Sequence, residues 1–483
     1  MGTLAQVRHP NSFMNRLPTP PAPNRPPRAG VLPWRGVAAG ALAVALVGCA
    51  AVHGGSTSDP DAPPASGQAL TERVGALETQ VRQLQQTLQQ TRQELDQQAE
   101  DMRPYADAVM GIIQQWIDET VHSGGWPDSH PTQWLALDQA ARRLATQPEA
   151  GRDDFKDWNL LAFSALANSR YEEAAQDWQR ASASADSGPD ESAQALYNRA
   201  VALSGLLTQP EQARAAYRQL IDARAPGDST EEREILARSM FKLGQSLEKE
   251  QPDEAIATYQ KLIDAYAPLQ NQSPVLRELA AVAQYNIGQV IDIEAEPARE
   301  IALYQKFIAA YAPGDAPVIR EVAAKGMSSL GVAFDLAKQP ARAVTIYTRM
   351  IDTYAADDAP CVRDAVNQSL NNRAMARLQA ARKAWPGDRA RAAALLRAAL
   401  SDLRACQRRG ANDGIVLANL AHVLWLRGDR QAAEASLRAA FSDPDDGGET
   451  LYRGVLDDLT VHPIAPDRAL RRMIDRVWND YHG

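Results

Sequence analysis

The chain has 483 residues, of which 45% are hydrophobic and only 6% aromatic. Alanine and leucine dominate the apolar fraction, a composition typical of helical proteins. The formal net charge is −9, and no clustered basic face is evident in the sequence, so we exclude nucleic acid as a partner.

Residues 1–48 have the features of a secretion signal. They contain five arginines and no acidic residue, and an apolar run extends from Gly36 to Val47. A run of about a dozen residues matches the h-region of a signal peptide and is too short to cross a membrane, which takes roughly 20 residues. The run is followed by a cysteine, so that the last four letters of the segment read LVGC and end at Cys49.

The LVGC motif resembles the lipobox of bacterial lipoproteins. The resemblance implies that Cys49 is lipidated and becomes the first residue of the mature chain. Ala50 follows the cysteine, which in lipoproteins of Gram-negative bacteria implies an outer-membrane location facing the periplasm. Acyl chains would hold the protein at the membrane without a spanning segment, since each buried methylene contributes about 0.8 kcal/mol. An ordinary signal or anchor helix and a translation start at Met14 remain open as alternatives.

A flexible tether and a coiled coil are predicted next. Residues 49–68 include the low-complexity stretch HGGSTSDPDAPPASGQ, which cannot bury a core. In residues 69–103 apolar residues recur at alternating spacings of four and three, which predicts a coiled-coil stalk. The seam consists of Leu70, Val74, Leu77, Val81, Leu84, Leu88, Thr91 and Leu95. We expect a parallel homo-oligomer, either a dimer or a trimer; the alternative is a single amphipathic helix folded onto the rest of the protein.

Residues 104–153 are predicted to form a helical junction. Pro104 interrupts the stalk, and a looser pair of helices surrounds the loop HSGGWPDSHP. His122, Asp128 and His130 in this loop are candidates for a metal site or for catalysis, but a third histidine nearby is missing. We therefore predict neither a metal site nor enzymatic activity. An envelope hydrolase or enzyme accessory that uses this loop stays open as an alternative.

One phrase occurs four times between residues 215 and 356. It reads AAYRQLIDARAP, ATYQKLIDAYAP, ALYQKFIAAYAP and TIYTRMIDTYAA. Its tyrosines, Tyr217, Tyr259, Tyr304 and Tyr347, lie 42, 45 and 43 residues apart. Self-similarity at such a period predicts a solenoid, in which each unit buries its apolar face only against its neighbours.

The repeats resemble tetratricopeptide repeats, in which small residues let two helices approach and an aromatic residue fills the space between units. Three units fit this pattern through Leu161, Ala162, Ala174 and Trp178, through Leu330, Gly331, Ala343 and Tyr347, and through Leu420, Ala421, Ala433 and Leu437. Two units depart from it. The step from Gly244 to Ala255 is one residue short, and Glu300 stands where an alanine is expected opposite Gly288.

The predicted fold is therefore all-α, with a coiled-coil stalk followed by a right-handed solenoid of the tetratricopeptide type. We predict about seven units in residues 154–446, separated by loops longer than the consensus allows. Residues 447–483 are predicted to form a helical cap, because the last unit of a solenoid must cover an exposed core face.

A polar column is the candidate site for partners. The first helix of each repeat lines a concave groove, and the residue just before the close-packed pair tends to face it. This position and one residue three places later give Asn198, Lys242, Asn286, Ser329, Asn372, Asn419 and His422. Amides and a lysine can hydrogen-bond an extended peptide or its terminal carboxylate; asparagine is also common at this position without any ligand.

Other motifs are weaker. Ser239 and Lys242 have the serine-x-x-lysine spacing of penicillin-binding enzymes, but the chain has no companion Lys-Thr-Gly motif. The acidic stretch from Asp443 to Asp446 lacks the spacing of a calcium loop. Cys361 and Cys406 could form a disulfide in an oxidising compartment if their backbones come close enough.

The order of lipid anchor, tether, coiled coil and repeats resembles the periplasmic coiled-coil/repeat proteins that coordinate envelope constriction during cell division. The resemblance implies a scaffold for periplasmic or envelope proteins, with no cofactor. A pilotin-like escort for a secretion or pilus apparatus remains the alternative.

Overall fold

We describe the protein from a computed structural model. It describes residues 75–91, 106–114, 154–205, 210–225, 227–291 and 295–482, together with positions 93, 97, 137, 139–142 and 144. Cys49, the tether and the loop from His122 to His130 lie outside these residues. Throughout the part that is described, the regular elements are helices, so the predicted all-α class is confirmed. None of the described helices is long and apolar enough to cross a membrane.

The described part of the chain divides into two compact units, one within residues 75–187 and one within residues 188–482. In the first, residues 75–91 are helical and carry four apolar side chains that remain largely exposed. Their exposed fractions are 53% for Leu77, 51% for Val81, 45% for Leu84 and 74% for Leu88. These side chains share one face of the helix, because they recur at spacings of four, three and four.

The first unit also contains a helical hairpin formed by α1 (Phe155–Ala167) and α2 (Tyr171–Ser182). Asp154 caps α1 by accepting a hydrogen bond from the backbone N–H of Lys156. Trp178 is fully buried; its ring meets Phe163 edge-on at 5.3 Å between centroids, and its indole N–H donates to Asn159 Oδ1 over 3.0 Å. An aromatic anchor therefore joins the two helices, as the repeat pattern predicts.

The second unit contains six hairpins and a terminal helix pair. The hairpins are α3 (Pro189–Ser204) with α4 (Pro210–Arg224), α5 (Thr230–Leu247) with α6 (Pro252–Tyr266), α7 (Pro274–Val290) with α8 (Pro297–Tyr311), α9 (Pro317–Leu336) with α10 (Pro340–Tyr354), α11 (Pro360–Ala384) with α12 (Arg389–Arg408), and α13 (Gly414–Arg427) with α14 (Arg430–Phe441). The terminal pair is α15 (Glu449–Asp458) and α16 (Asp467–His482).

Each first helix of this unit packs against its own second helix and against the first helix of the next hairpin. Each second helix from α4 to α12 also packs against the first helix that follows it. Such nearest-neighbour packing is the defining arrangement of a solenoid. Residues on successive first helices consequently lie side by side, which is what brings the polar column together.

Three of the close helix approaches depend on glycine. A Cβ atom added at Gly244 would lie 2.6 Å from the ring of Tyr259, and one added at Gly288 would lie 2.5 Å from the ring of Tyr304. Gly331 meets the ring of Tyr347 in the same way. Tyr259, Tyr304 and Tyr347 thus each lie against a glycine of their own hairpin, because any larger side chain there would overlap the ring.

The terminal helix pair is attached through α16, which packs on α14 and α15. Four apolar side chains of α16 are buried: Leu470, Met473, Ile474 and Val477. Burying four apolar side chains of this size contributes about 1.5–3 kcal/mol each. The last hairpin therefore has its apolar face covered by the chain itself.

Candidate functional site

The predicted polar column divides into a buried part and an accessible part. Asn198, Asn372, Asn419 and His422 are at most 4% exposed. These four side chains are buried and do not present a surface to a peptide in this structure, which corrects the expectation that the whole column lines an open groove. Lys242, Asn286 and Ser329 keep part of their surface exposed.

Asn286 belongs to a hydrogen-bonded group that joins three helices. The Tyr259 hydroxyl on α6 donates to Glu248 Oε1 at the end of α5 over 2.5 Å. Asn286 Nδ2 on α7 donates to the same hydroxyl over 3.2 Å and to Glu248 Oε1 over 3.4 Å. The asparagine of one repeat therefore bonds the buried tyrosine hydroxyl and one carboxylate oxygen of the preceding repeat.

The same group recurs one and two hairpins later with different residues. Tyr347 on α10 donates to Asp335 Oδ2 on α9 over 3.1 Å, and Asn372 of α11 lies beside that hydroxyl. Between them, Gln289 Nε2 on α7 donates to the Tyr304 hydroxyl on α8 and to Ser329 Oγ on α9, the latter over 3.3 Å. We call these three groups, centred on Tyr259, Tyr304 and Tyr347, the tyrosine ladder.

Burial changes the acidity of the ladder. It raises the pKa of Glu248 to about 7, against the hydrogen bond from Tyr259, and it raises the pKa of Asp335 to about 7, against the hydrogen bond from Tyr347. The pKa values of both tyrosines rise well above 10, first through burial and then through the adjacent carboxylate. The two carboxyl groups therefore change charge near neutral pH, whereas the tyrosines stay protonated.

Lys242 is the one basic member of the column. Desolvation lowers the pKa of its ammonium group to about 8, although the residue as a whole keeps some exposed surface. A lysine in this state is cationic at neutral pH, and a carboxylate that approached it would gain a partially desolvated charge pair.

At the far end of the column, amide and imidazole groups hold helices together. Asn419 Nδ2 on α13 donates to Asn371 Oδ1 on α11 over 2.8 Å. His422 Nε2 lies 2.9 Å from Arg382 Nη1, and because arginine can only donate, the imidazole nitrogen accepts. Burial and then the charge of Arg382 lower the pKa of His422 to about 3, so the ring is neutral.

Arg382 is a residue that the sequence analysis did not single out. It is fully buried and its guanidinium donates to Asp467 Oδ1 and Oδ2 over 3.0 and 2.8 Å. It also donates to the carbonyl oxygens of Leu459 and Val461 over 3.1 and 3.0 Å. With His422, all five guanidinium N–H groups have acceptors. Arg382 thus ties α11 to the start of α16, and no local sequence pattern marks it.

A second arginine group was also missed. Arg373 on α11 donates to Asp402 of α12 with two nitrogens, over 2.7 and 3.1 Å, and to Thr348 Oγ1 of α10 over 2.9 Å. Arg377 bonds the same carboxylate. This group replaces the tyrosine ladder where the repeated phrase ends, since α12 has no tyrosine.

The weaker sequence motifs have structural explanations where the structure describes them. Ser239 is buried and its hydroxyl donates to the Ile235 carbonyl over 2.8 Å, within its own helix. Asp443 accepts from the backbone N–H groups of Asp445 and Asp446 over 3.0 and 2.9 Å, which makes a turn.

The considered disulfide is not formed in the structure, where Cys361 and Cys406 are free thiols. Cys406 is buried and its Sγ lies 3.5 Å from the Asn367 carbonyl oxygen. Cys361 is half-buried beside Glu321 of the preceding first helix. Each sulfur lies against a different helix.

The comparisons with known proteins identify the repeat type. A tetratricopeptide repeat family matches residues 194–224 and 238–267, which include all of α4 and α6, most of α3 and the second half of α5. No curated protein is significantly similar to the chain. Together with the packed helix pairs, the match shows a solenoid of the tetratricopeptide type, a fold that suggests a role in protein–protein interaction.

Several solved repeat proteins resemble the chain at low identity. The C-terminal part of a TPR repeat-containing protein from Cytophaga hutchinsonii is 14% identical with a TM-score of 0.41, covering 62% of this chain and 99% of that one. The TPR2AB domain of yeast Sti1 in complex with pHSP90 is 16% identical with a TM-score of 0.22, covering 68% and 98%. The apo form of RapI is 11% identical with a TM-score of 0.33, covering 63% and 99%.

Proposed function

We propose that this protein is a membrane-anchored interaction scaffold of the bacterial envelope. It oligomerises through a coiled coil in residues 69–103 and binds periplasmic proteins through the groove of its repeats. Lipidation of Cys49 anchors it to the outer membrane, facing the periplasm. The proposal joins an established interaction fold to the signal and lipobox pattern of the sequence.

The observation that carries the proposal is the exposed apolar face of the helix at residues 75–91. Leu77, Val81, Leu84 and Leu88 leave 45–74% of their surface exposed, at the heptad spacing of a coiled-coil seam. Each side chain of this size would contribute about 1.5–3 kcal/mol on burial. A second copy presents the same seam in register, so self-association removes the exposure on both chains.

The groove supplies the binding role. Lys242, Asn286 and Ser329 come from three successive first helices that pack side by side, and each keeps some exposed surface. They offer a cation, an amide and a hydroxyl along the array, groups suited to the backbone and terminal carboxylate of an extended peptide. Binding that depends on the Lys242 charge should weaken as the pH rises through about 8.

Self-association is tested on the chain from residue 50 onward by sedimentation velocity. We expect an oligomer for the unaltered chain and a monomer when Leu84→Glu and Leu88→Glu are combined. The matched control combines Gln86→Glu with Gln90→Glu, which adds the same charge to the same helix outside the seam and should leave the oligomer intact. A monomeric unaltered chain would refute this part of the proposal.

The groove is tested by crosslinking in cells, capture and mass spectrometry. Combining Lys242→Ala with Ser329→Ala should remove a set of envelope proteins that the control, Lys261→Ala with Lys306→Ala on second helices, retains. Cys49→Ala should move the protein from the membrane to the soluble fraction. Equal partner sets for groove and control variants would exclude the groove as the binding surface.

A further inference from the structure

Helix α12 carries a basic face that the sequence analysis overlooked. Residues 373–409 contain ten basic and two acidic residues in a chain whose net charge is −9. Of the two acids, Asp402 is buried and bonded to Arg373 and Arg377, and Asp388 caps the start of α12. The exposed positive charge of this region is therefore not compensated locally.

The exposed surface of α12 has an unusual composition. Its exposed residues are Arg389, Ala390, Arg391, Ala393, Ala394, Arg397, Ser401, Arg404 and Arg408. Every exposed charge is positive, and the remaining side chains are small. Arg397, Arg404 and Arg408 lie within about 40° of one another around the helix axis and are spaced by about 10 and 6 Å along it, at 1.5 Å per residue. They form a line of guanidinium groups, which we call the arginine line.

The arginine line lacks the ion pairs that other arginines of this unit make. Arg214 pairs with Glu250 at 2.8 Å, Arg224 with Glu232 at 3.0 Å, and Arg438 with Asp480 at 2.7 Å. Within the described part of the chain, the side chains of Arg397, Arg404 and Arg408 have no carboxylate within 4.0 Å. Like charges four residues apart on a helix, such as Arg404 and Arg408, destabilise it by about 0.2–0.5 kcal/mol. The line is thus maintained at a small cost in stability.

We propose that the arginine line of α12 is a docking surface for an acidic helical segment of a partner protein. Guanidinium groups bind carboxylates through paired N–H donors. The alanines and Ser401 between them are short, so a partner helix can approach the α12 backbone while its carboxylates reach the arginines on one side. A helix with carboxylates spaced by four and seven residues on one face matches the line, because both helices share the same rise.

Two features favour a protein partner over an anionic membrane. A basic helix that binds lipid inserts large apolar side chains beside its charges, and the exposed face of α12 has only arginine, alanine and serine. The exposed large apolar residues of the described chain lie elsewhere, at Leu77, Val81, Leu84, Leu88, Ile112 and Tyr481. The surface therefore fits partners that pair charges without insertion.

The test uses a labelled alanine-based helical peptide whose three glutamates share one face at the four-and-seven spacing, with binding followed by fluorescence anisotropy at low ionic strength. Combining Arg397→Glu, Arg404→Glu and Arg408→Glu should weaken binding at least tenfold. The matched control combines Lys261→Glu, Lys306→Glu and Arg349→Glu, an equal change of charge at exposed sites on α6, α8 and α10, and should stay within twofold of the unaltered chain.

Two further measurements make the test independent of variant folding. On the unaltered chain, a peptide with glutamine in place of the glutamates, and one with its glutamates spread around the helix, should both bind at least fivefold more weakly. The proposal is overturned if the control variant loses as much affinity as the charge reversal, or if all peptides bind alike. It is also overturned if phosphatidylglycerol vesicles or a single-stranded oligonucleotide bind through these arginines and the glutamate peptide does not.

Discussion

The hairpins from α5 to α10 and those from α11 to α14 use different side chains to fill the space between their helices and to connect them. In the first region a tyrosine lies against a glycine, and its hydroxyl is bonded by polar side chains of adjoining helices. In the second region the eighth residues of α12 and α14, where the first region has its tyrosines, are the buried Leu396 and Leu437, and arginine–aspartate groups connect the helices. The difference shows that a repeat array needs an apolar filler and a polar connection at each step, but not one particular pair.

The two regions also begin their second helices differently. Pro252, Pro297 and Pro340 occupy the first turns of α6, α8 and α10, where the missing N–H costs nothing. In α12 and α14 the carboxylates of Asp388 and Asp429 accept backbone N–H bonds. Proline stiffens the unfolded chain as well, whereas an aspartate cap acts only in the folded helix.

The largest expected effect comes from breaking the connection of the second region. Arg382→Ala should lower the free energy of unfolding by about 3–5 kcal/mol, because it leaves Asp467 and two carbonyl oxygens buried without their donor. Thermal unfolding measures the loss. Arg472→Ala, on the exposed face of α16, is the control and should change stability by less than about 0.5 kcal/mol. A similar result for both variants would show that Arg382 is not what holds the terminal pair.

The buried side chain that fills the space between the two helices of a hairpin can be exchanged between the two regions. Gly331→Ala alone should cost about 1–3 kcal/mol, because the added Cβ overlaps the Tyr347 ring. Adding Tyr347→Leu reproduces the alanine and leucine of α13 and α14, Ala421 and Leu437, and should recover part of that loss. If the double variant loses more stability than Gly331→Ala and Tyr347→Leu lose in sum as single changes, the glycine–tyrosine pair and the alanine–leucine pair are not interchangeable.

The acidic groups of the tyrosine ladder predict a pH dependence that the second region lacks at equivalent positions. Both carboxyl groups have a pKa of about 7 in the folded chain, above the usual value near 4 of the unfolded chain. The folded state therefore binds more protons between about pH 4 and 7, and stability falls as the pH rises through that window. Combining Glu248→Gln with Asp335→Asn should flatten this fall and stabilise the protein by about 2 kcal/mol at pH 8.

The pH effect is separable from that of His422, whose lowered pKa acts in the opposite direction. An imidazole with a pKa of about 3 when folded and about 6.5 when unfolded makes stability rise with pH between those values. Unfolding midpoints measured from pH 5 to 8 for the unaltered chain and the double variant distinguish the two contributions. Parallel pH profiles would mean that the two carboxyl groups are not responsible.

The smallest expected effect concerns the helix starts. Asp429→Ala removes the acceptor for the Ala432 N–H and should cost about 1 kcal/mol. Pro340→Ala removes no hydrogen bond and should cost about 0.4–1 kcal/mol through the unfolded chain alone. Chemical denaturation measures the loss of stability in each variant. A larger loss for Pro340→Ala than for Asp429→Ala would contradict the prediction.

Much of the fold could be predicted from the periodicity of the chain. The fourfold phrase and the small residues at helix contacts indicated a helical solenoid of the tetratricopeptide type, because such patterns follow from the period of the helix and of the repeat. The spacing of Gly331, Ala343 and Tyr347 likewise indicated, from the sequence alone, that they fit the repeat pattern. Periodicity could not distinguish a side chain that lines a groove from one that bonds a neighbouring helix, and Asn419, which donates to Asn371, belongs to the second kind.

The sequence by itself determined the helical class, the repeat period and the places where glycine and tyrosine must meet, because these depend on residues close together in the chain. The tertiary structure alone decided which polar residues became connections. Arg382 and Asp467 are 85 positions apart, and Tyr259 and Asn286 are 27 apart. Whether such groups are satisfied depends on how successive hairpins stack. The arginine line likewise became visible only when burial separated Asp402 from the exposed arginines of its own helix.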